Sequence, residues 1–137
     1  MLWRNLVRRQ GARVLVVDDE AEFRTIITGH LKEVGLEVQT ANKGMDALEA
    51  VNREAPDAII LDLVMPVMDG LTFLDRLRAS PYHTGLPVIV VTAKDLTAEE
   101  REQLQEKASG VLDKGEGVEE RLIDVLGALF PLGEPKR

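Results

Sequence analysis

The apolar residues fall into short β-branched runs separated by longer stretches with a helical repeat. Residues 13–17, 58–61 and 88–91 are compact apolar runs, too short for helices, and predict buried strands, while 111–112 predicts a short final strand. Residues 36–41 alternate instead, Leu36, Val38 and Thr40 against Glu37 and Gln39, which predicts a half-exposed edge strand. Between these runs the apolar positions return every three or four residues. Phe23, Ile26, Ile27, Leu31 and Val34 form one face of a helix over 21–34, with Gly35 as its stop. Ala47, Leu48 and Val51 do the same over 45–54, before Pro56. Leu71, Phe73, Leu74 and Leu77 do so over 71–79, before Ser80-Pro81. The last helix, 118–130, carries Leu122, Ile123, Val125, Leu126, Leu129 and Phe130 and ends before Pro131 and Gly133. One helix breaks the pattern. Thr97-Ala98-Glu99-Glu100 is a capping box, but in 99–107 only Leu104 is apolar, so this helix has little to bury and is expected to be weakly held.

Five strands alternating with five helices predict an α/β fold, a doubly wound parallel sheet with helices on both faces. All strand C-termini then share one edge, where ligands bind in open α/β sheets. The run 58–61 ends on Asp62, and 13–17 ends on Asp18-Asp19-Glu20. The fourth strand ends in Thr92-Ala93-Lys94, and the fifth in Asp113-Lys114-Gly115. Acids, a hydroxyl and an amine therefore converge on one place. Neighbouring carboxylates raise each other's pKa unless a cation relieves the repulsion, so Asp18, Asp19 and Asp62 together point to metal binding. Read alone, Asp19 also fits as the N-cap of the following helix, and Asp69 as the start of a helix at Gly70.

Composition narrows the class. The 137 residues suit one domain, here 13–130, with a basic lead-in (1–12) carrying Trp3, Leu6 and Val7 and a short tail (131–137). The net charge of −7 argues against direct nucleic-acid binding by charge. There is no cysteine, which fits a reducing compartment and a cytoplasmic location. No apolar run reaches membrane-spanning length, so no membrane contact by this chain is expected. Arg4, Arg8 and Arg9 interrupt any signal-peptide pattern at the start. His30 and His83 have no metal-ligand spacing and are read as bland.

Four segments carry a resemblance: Val-Leu-Val-Val-Asp-Asp-Glu at 14–20, Ile-Ile-Leu-Asp-Leu-Val-Met-Pro-Val-Met-Asp-Gly at 59–70, Val-Ile-Val-Val-Thr-Ala-Lys at 88–94 and Val-Leu-Asp-Lys at 111–114. Together they resemble the receiver domain of bacterial two-component response regulators, over nearly the whole of 13–130. The resemblance implies a flavodoxin-like (βα)5 sheet in order 2-1-3-4-5. It implies a phosphoacceptor signalling domain in a phosphorelay, not a turnover enzyme. By the same likeness Asp62 is the phosphoacceptor. Asp19 is a direct Mg²⁺ ligand, and Asp18 holds a metal-bound water. Asp62 and the Val64 backbone carbonyl complete the metal set, while Thr92 and Lys114 contact the phosphoryl oxygens. The implied partner is a histidine kinase or phosphotransfer protein, with output through helix 4, strand 5 and helix 5, and a homodimer is compatible. The run 90–97 with 111–115 is most similar to receivers fused to hybrid sensor kinases.

Two positions depart from that pattern. Val111 stands where receivers commonly carry a Tyr or Phe coupled to the threonine. Gly115 replaces the proline after the lysine, and since a cis bond before a non-proline residue costs about 3 kcal/mol, a trans Lys114–Gly115 bond is predicted. These departures keep open a pseudo-receiver, an interaction module not regulated by phosphorylation. A haloacid-dehalogenase-like phosphohydrolase needs a second Asp at position 64, where this chain has Val64. A flavin-binding module needs a phosphate loop where Asp18-Asp19-Glu20 would repel phosphate.

Overall fold

The computed structural model describes residues 11–130 and Leu132. Strands β1 (Arg13–Val17), β2 (Glu37–Ala41), β3 (Ala58–Leu61), β4 (Val88–Thr92) and β5 (Gly110–Asp113) alternate with five helices. These are α1 (Ala21–Glu33), α2 (Gly44–Arg53), α3 (Gly70–Ala79), α4 (Ala98–Lys107) and α5 (Val118–Leu129). The strands form one parallel sheet in the flavodoxin-like order β2-β1-β3-β4-β5. The lead-in face of Trp3, Leu6 and Val7 and the stops at Pro131 and Gly133 lie outside the described residues. Ala12, read as the end of the lead-in, is buried, and its carbonyl accepts the Glu37 N–H at 2.9 Å.

Successive strand residues point to opposite faces, which divides the apolar runs into two cores. Leu15, Val17, Ile59, Leu61, Val88 and Val90 pack against α2, α3 and α4. Val14, Val16, Ala58, Ile60, Ile89 and Val91 pack against α1 and α5. Because both faces are covered, polar residues enter the central strands only at their ends, Arg13 opening β1 and Thr92 closing β4. The edge strands differ. Val38 is half-buried and Thr40 exposed on β2, while Val111 and Leu112 are only half-buried on β5.

Three expectations need correction. Ile26, placed on the inner face of α1, is 42% exposed, and Leu129 of α5 is 39% exposed. Each helix meets the sheet along a narrower stripe than its apolar pattern, so flanking apolar residues remain outside. Asp19 does not cap α1: the N-cap is Glu20, and no side chain closes the cap. Asp18 turns inward and takes the Glu20 N–H at 2.8 Å, so the helix begins one residue later than an Asp19 cap would start it. Other local expectations match. Gly35 ends α1 at φ 92°, donating to Lys32 O while Leu36 N–H reaches Leu31 O, a Schellman closure. Asp69 caps α3 by accepting the Thr72 N–H at 2.8 Å. Thr97 and Glu100 form the reciprocal capping box of α4. No cis peptide bond occurs among the described residues, so Lys114–Gly115 is trans.

Candidate functional site

Among the described residues, the buried polar side chains are Asp18, Asp62 and Thr92. Each terminates or follows a central strand, and all lie at the C-terminal edge of the sheet. Register explains the convergence. Val17 is level with Leu61, so Asp18 and Asp62 follow side by side. Thr92 is level with Asp113, which places Lys114 one step beyond. Backbone bonds hold these ends: Asp62 N–H to Val17 O at 3.0 Å, Asp18 N–H to Ala41 O at 3.1 Å, and Lys114 N–H to Thr92 O at 2.9 Å.

Lys114 is the hub. Its ammonium donates to Asp18 Oδ2 at 2.7 Å and Asp62 Oδ2 at 3.3 Å, and it pairs with Glu20. It also sits 4.3 Å above the centre of the Phe23 ring. Burial alone would weaken its hold on the proton. The hydrogen bonds to Asp18 and Glu20, with the charges of Asp18 and Asp62, outweigh that and push its pKa up. Asp18 shows the opposite balance. Burial raises its carboxyl above the ordinary value, and the bonds from Lys114 and the Glu20 N–H only partly offset this. The site thus holds a carboxylate charge against its preference for water, an arrangement that a cation stabilises.

Above these groups opens a cavity of about 410 Å³ bordered by Asp19, Glu20, Asp62, Val64, Lys94 and Lys114. Carboxylate oxygens of Asp18, Glu20 and Asp62 lie within 4.8 Å of one another. An all-oxygen set of this kind fits a hard divalent cation such as Mg²⁺, which keeps several waters and needs few protein ligands. Asp19 is exposed at the cavity wall and is not part of that three-carboxylate group. Val64 is 56% exposed beside it. Asp62 Oδ1 accepts the Val64 N–H at 3.2 Å, and the Thr92 hydroxyl accepts the Lys94 N–H at 3.1 Å.

The loop from β3 to α3 is fixed by close contact. A Cβ on Gly70 would stand 2.5 Å from Asp62 O and 2.6 Å from Leu63 Cα, so only glycine lets α3 start this near the strand end. Earlier in that loop, Val67 has φ 69° and is fully exposed, with Met68 N–H reaching back to Pro66 O at 2.8 Å. A β-branched residue in this conformation is strained, and such strain gathers near functional sites.

The structure adds three contributors to those the sequence singles out. Glu20 stands in the acid run with no role of its own, Phe23 falls on the apolar face of the first helix, and Arg24, which donates to Asp18 O at 2.7 Å, belongs to no motif. The helical repeat could have found the last two, since Phe23 and Arg24 lie in the first turn after the acid run. His30 and His83 stay away from this edge: His30 is exposed, and His83 offers its carbonyl to Arg78 at 2.7 Å. No helix among the described residues is long and apolar enough to cross a membrane.

Comparison with known proteins agrees with this geometry. The family model for the response regulator receiver domain matches residues 14–126. Response regulator MprA of Mycobacterium leprae is 38% identical over 117 residues, covering 85% of this chain and 50% of its own. A protein-glutamate methylesterase/protein-glutamine glutaminase of Anaeromyxobacter dehalogenans is 49% identical over 78 residues, 57% of this chain and 22% of its own. This chain therefore spans half or less of the length of these curated relatives. The chemotaxis protein CheY4 of Vibrio cholerae superposes with a TM-score of 0.79 at 31% identity, over 86% of this chain and 98% of that one. With a matched family model over most of its length and the same sheet order, the chain belongs to the response regulator receiver domain family.

Proposed function

We propose that this domain accepts a phosphoryl group on Asp62 from a histidine kinase or phosphotransfer protein, in a Mg²⁺-dependent step. The observation that carries the reading is the placement of the Asp62 carboxylate. It is 5% exposed, bonded to Lys114, beside buried Asp18, and it borders an open cavity. Such a carboxylate is desolvated enough to act as a nucleophile yet reachable by a donor.

In the transfer, an Asp62 oxygen forms a bond to phosphorus as the donor's phosphorus–nitrogen bond breaks. The electron pair leaves on the imidazole nitrogen, and an acyl phosphate remains on Asp62. Lys114, already committed to the carboxylates, is placed to pair with a phosphoryl oxygen, and the Thr92 hydroxyl to donate to another. Asp18, Asp19 and Asp62, with the Val64 carbonyl, are the residues proposed to hold the metal, and Glu20 adds a further carboxylate nearby. Bound there, Mg²⁺ supplies the positive charge that lets phosphoryl oxygens approach a carboxylate cluster. Transfer of this kind makes the chain a signalling module, with only self-catalysed gain and loss of the group. The motifs at 90–97 and 111–115 support a place among receivers attached to hybrid sensor kinases.

Intact mass after incubation with acetyl phosphate and Mg²⁺ tests the reading. One added phosphoryl group is expected, absent for Asp62→Asn and absent without Mg²⁺. A wild-type mass that stays unchanged with both donor and metal sinks it.

A further inference from the structure

Lys94 belongs to two structures at once. The residue borders the cavity that Asp62 and Lys114 also border. Its ammonium pairs with Glu100, and its backbone N–H is bonded to the Thr92 hydroxyl. Glu100 is itself divided. One carboxylate oxygen accepts the Thr97 N–H at 3.0 Å and completes the capping box of α4, and the other holds Lys94. A single carboxylate therefore joins the wall of the acid cavity to the first turn of α4.

That turn has few other fastenings. Leu104 is the sole buried residue of α4, and it lies in the second half of the helix. Near its far end, the Arg78 guanidinium grips Lys107 O at 2.7 Å and 3.0 Å, and Lys107 pairs with Asp75. The two ends of α4 thus differ. The C-terminal end is fixed by a guanidinium on a backbone carbonyl. The N-terminal end is held by Leu96, partly buried against the core just before the cap, and its charged tie to the rest of the domain is one half-exposed lysine.

The geometry points to Lys94 as an exchangeable tether. When negative charge is added at Asp62, Lys94 leaves Glu100 for a phosphoryl oxygen and frees the first turn of α4. This rests on the phosphoacceptor reading above and adds the route by which the site reaches the helix. The electrostatics favour the exchange: transfer converts the single charge of Asp62 into an acyl phosphate carrying about two, a net gain of about one placed on oxygens that project into the cavity, whereas Glu100 offers one, already shared with a backbone N–H. The route needs no aromatic ring at position 111, where this chain has Val111.

The test is amide exchange across residues 98–107 on the full chain, with and without acetyl phosphate and Mg²⁺, beside intact mass on the same samples. In the wild type, the phosphorylated form should exchange faster in the first turn of α4 by about two- to fivefold, the range spanned by losing an exposed ion pair. Glu100→Gln keeps the capping-box acceptor but removes the charge that holds Lys94. It should phosphorylate like the wild type, exchange faster before phosphorylation, and respond little afterwards. Lys94→Met, whatever its extent of phosphorylation, should show the same exchange in modified and unmodified molecules. A full wild-type response in either variant overturns the tether while leaving the phosphoacceptor reading intact. A wild type that gains no phosphoryl mass overturns both.

Discussion

The centre of the sheet and its β5 edge are built on different principles. At the centre, β1, β3 and β4 are buried on both faces, and their side chains Leu15, Ile59, Ile60, Leu61 and Ile89 are almost wholly shielded from water. This half carries the acid site, and polar groups enter it only at strand ends. At the far edge, α4 contributes one buried leucine, β5 is half-exposed, and a cavity of about 360 Å³ lies between them, lined in part by Leu104, Ala108 and Val111. That edge is held by polar contacts: the capping box, Lys94–Glu100, Lys107–Asp75 and the Arg78 grip. Apolar packing is lost all at once when a core opens, whereas polar fastenings can be exchanged singly for other partners. A rigid site beside an exchangeable edge is what a domain needs if chemistry at one place is to alter a surface at another.

The sharpest way to break this contrast is to make the same kind of truncation in both regions. Ile60→Ala should lower global stability by about 4 kcal/mol, because the site is sealed by neighbours that cannot collapse into the gap. Leu104→Ala should lose less globally, about 2 kcal/mol, because α4 can detach and leave the rest folded. Chemical denaturation read beside amide exchange in 98–107 separates the two outcomes. Equal global losses without local opening of α4 would show that the edge is as firmly packed as the centre.

Gly70→Ala probes the rigid side through its backbone. The added methyl meets Asp62 O and Leu63 Cα, neither of which can rotate away. A loss of about 2 kcal/mol is expected, with a fall in acetyl-phosphate labelling of Asp62, read by thermal unfolding and by mass. Arg78→Ala probes the polar side. It removes the bonds to Lys107 O and His83 O and should lower stability by about 1.5 kcal/mol. Faster exchange should be confined to α4 and the loop before β4.

The smallest expected effect is on pH. The hydrogen bonds from Lys94 and then from the Thr97 N–H hold the Glu100 carboxyl below its ordinary value of 4.5. A lowered folded-state pKa means that its contribution is fully present above the unfolded value. It is lost as the pH falls below 4.5 and through the folded value. Amide protection in the first turn of α4, taken relative to the intrinsic exchange rate at each pH, should fall in that acid window, and Glu100→Gln should remove the dependence. A profile unchanged by the substitution would mean that another carboxyl governs it.

Much of this was legible in the chain. Apolar runs of four or five residues, each ending in a polar residue, carry the parallel sheet and its polar edge, because a strand covered on both faces admits polarity only where it leaves the core. The capping box, the Gly35 closure and the Asp69 cap depend on neighbours within a few residues and are likewise readable locally. Even the poverty of α4 is a fact of composition, since Leu104 stands alone in 99–107.

What tertiary structure decided is everything set by distance across the chain. Register between β1 and β3 puts Asp18 beside Asp62, and the turn after β1 brings in Glu20 while leaving Asp19 at the wall. The same turn moved the cap of α1 from Asp19 to Glu20. Ile26 and Leu129 stayed exposed because helix orientation, not the apolar pattern alone, fixes how wide a stripe the sheet can cover. The pairing of Lys94 with Glu100 joins a strand end to a helix cap through two long side chains. A sequence fixes which residues can make such a pair, but only the packed sheet and helix bring their charged ends together.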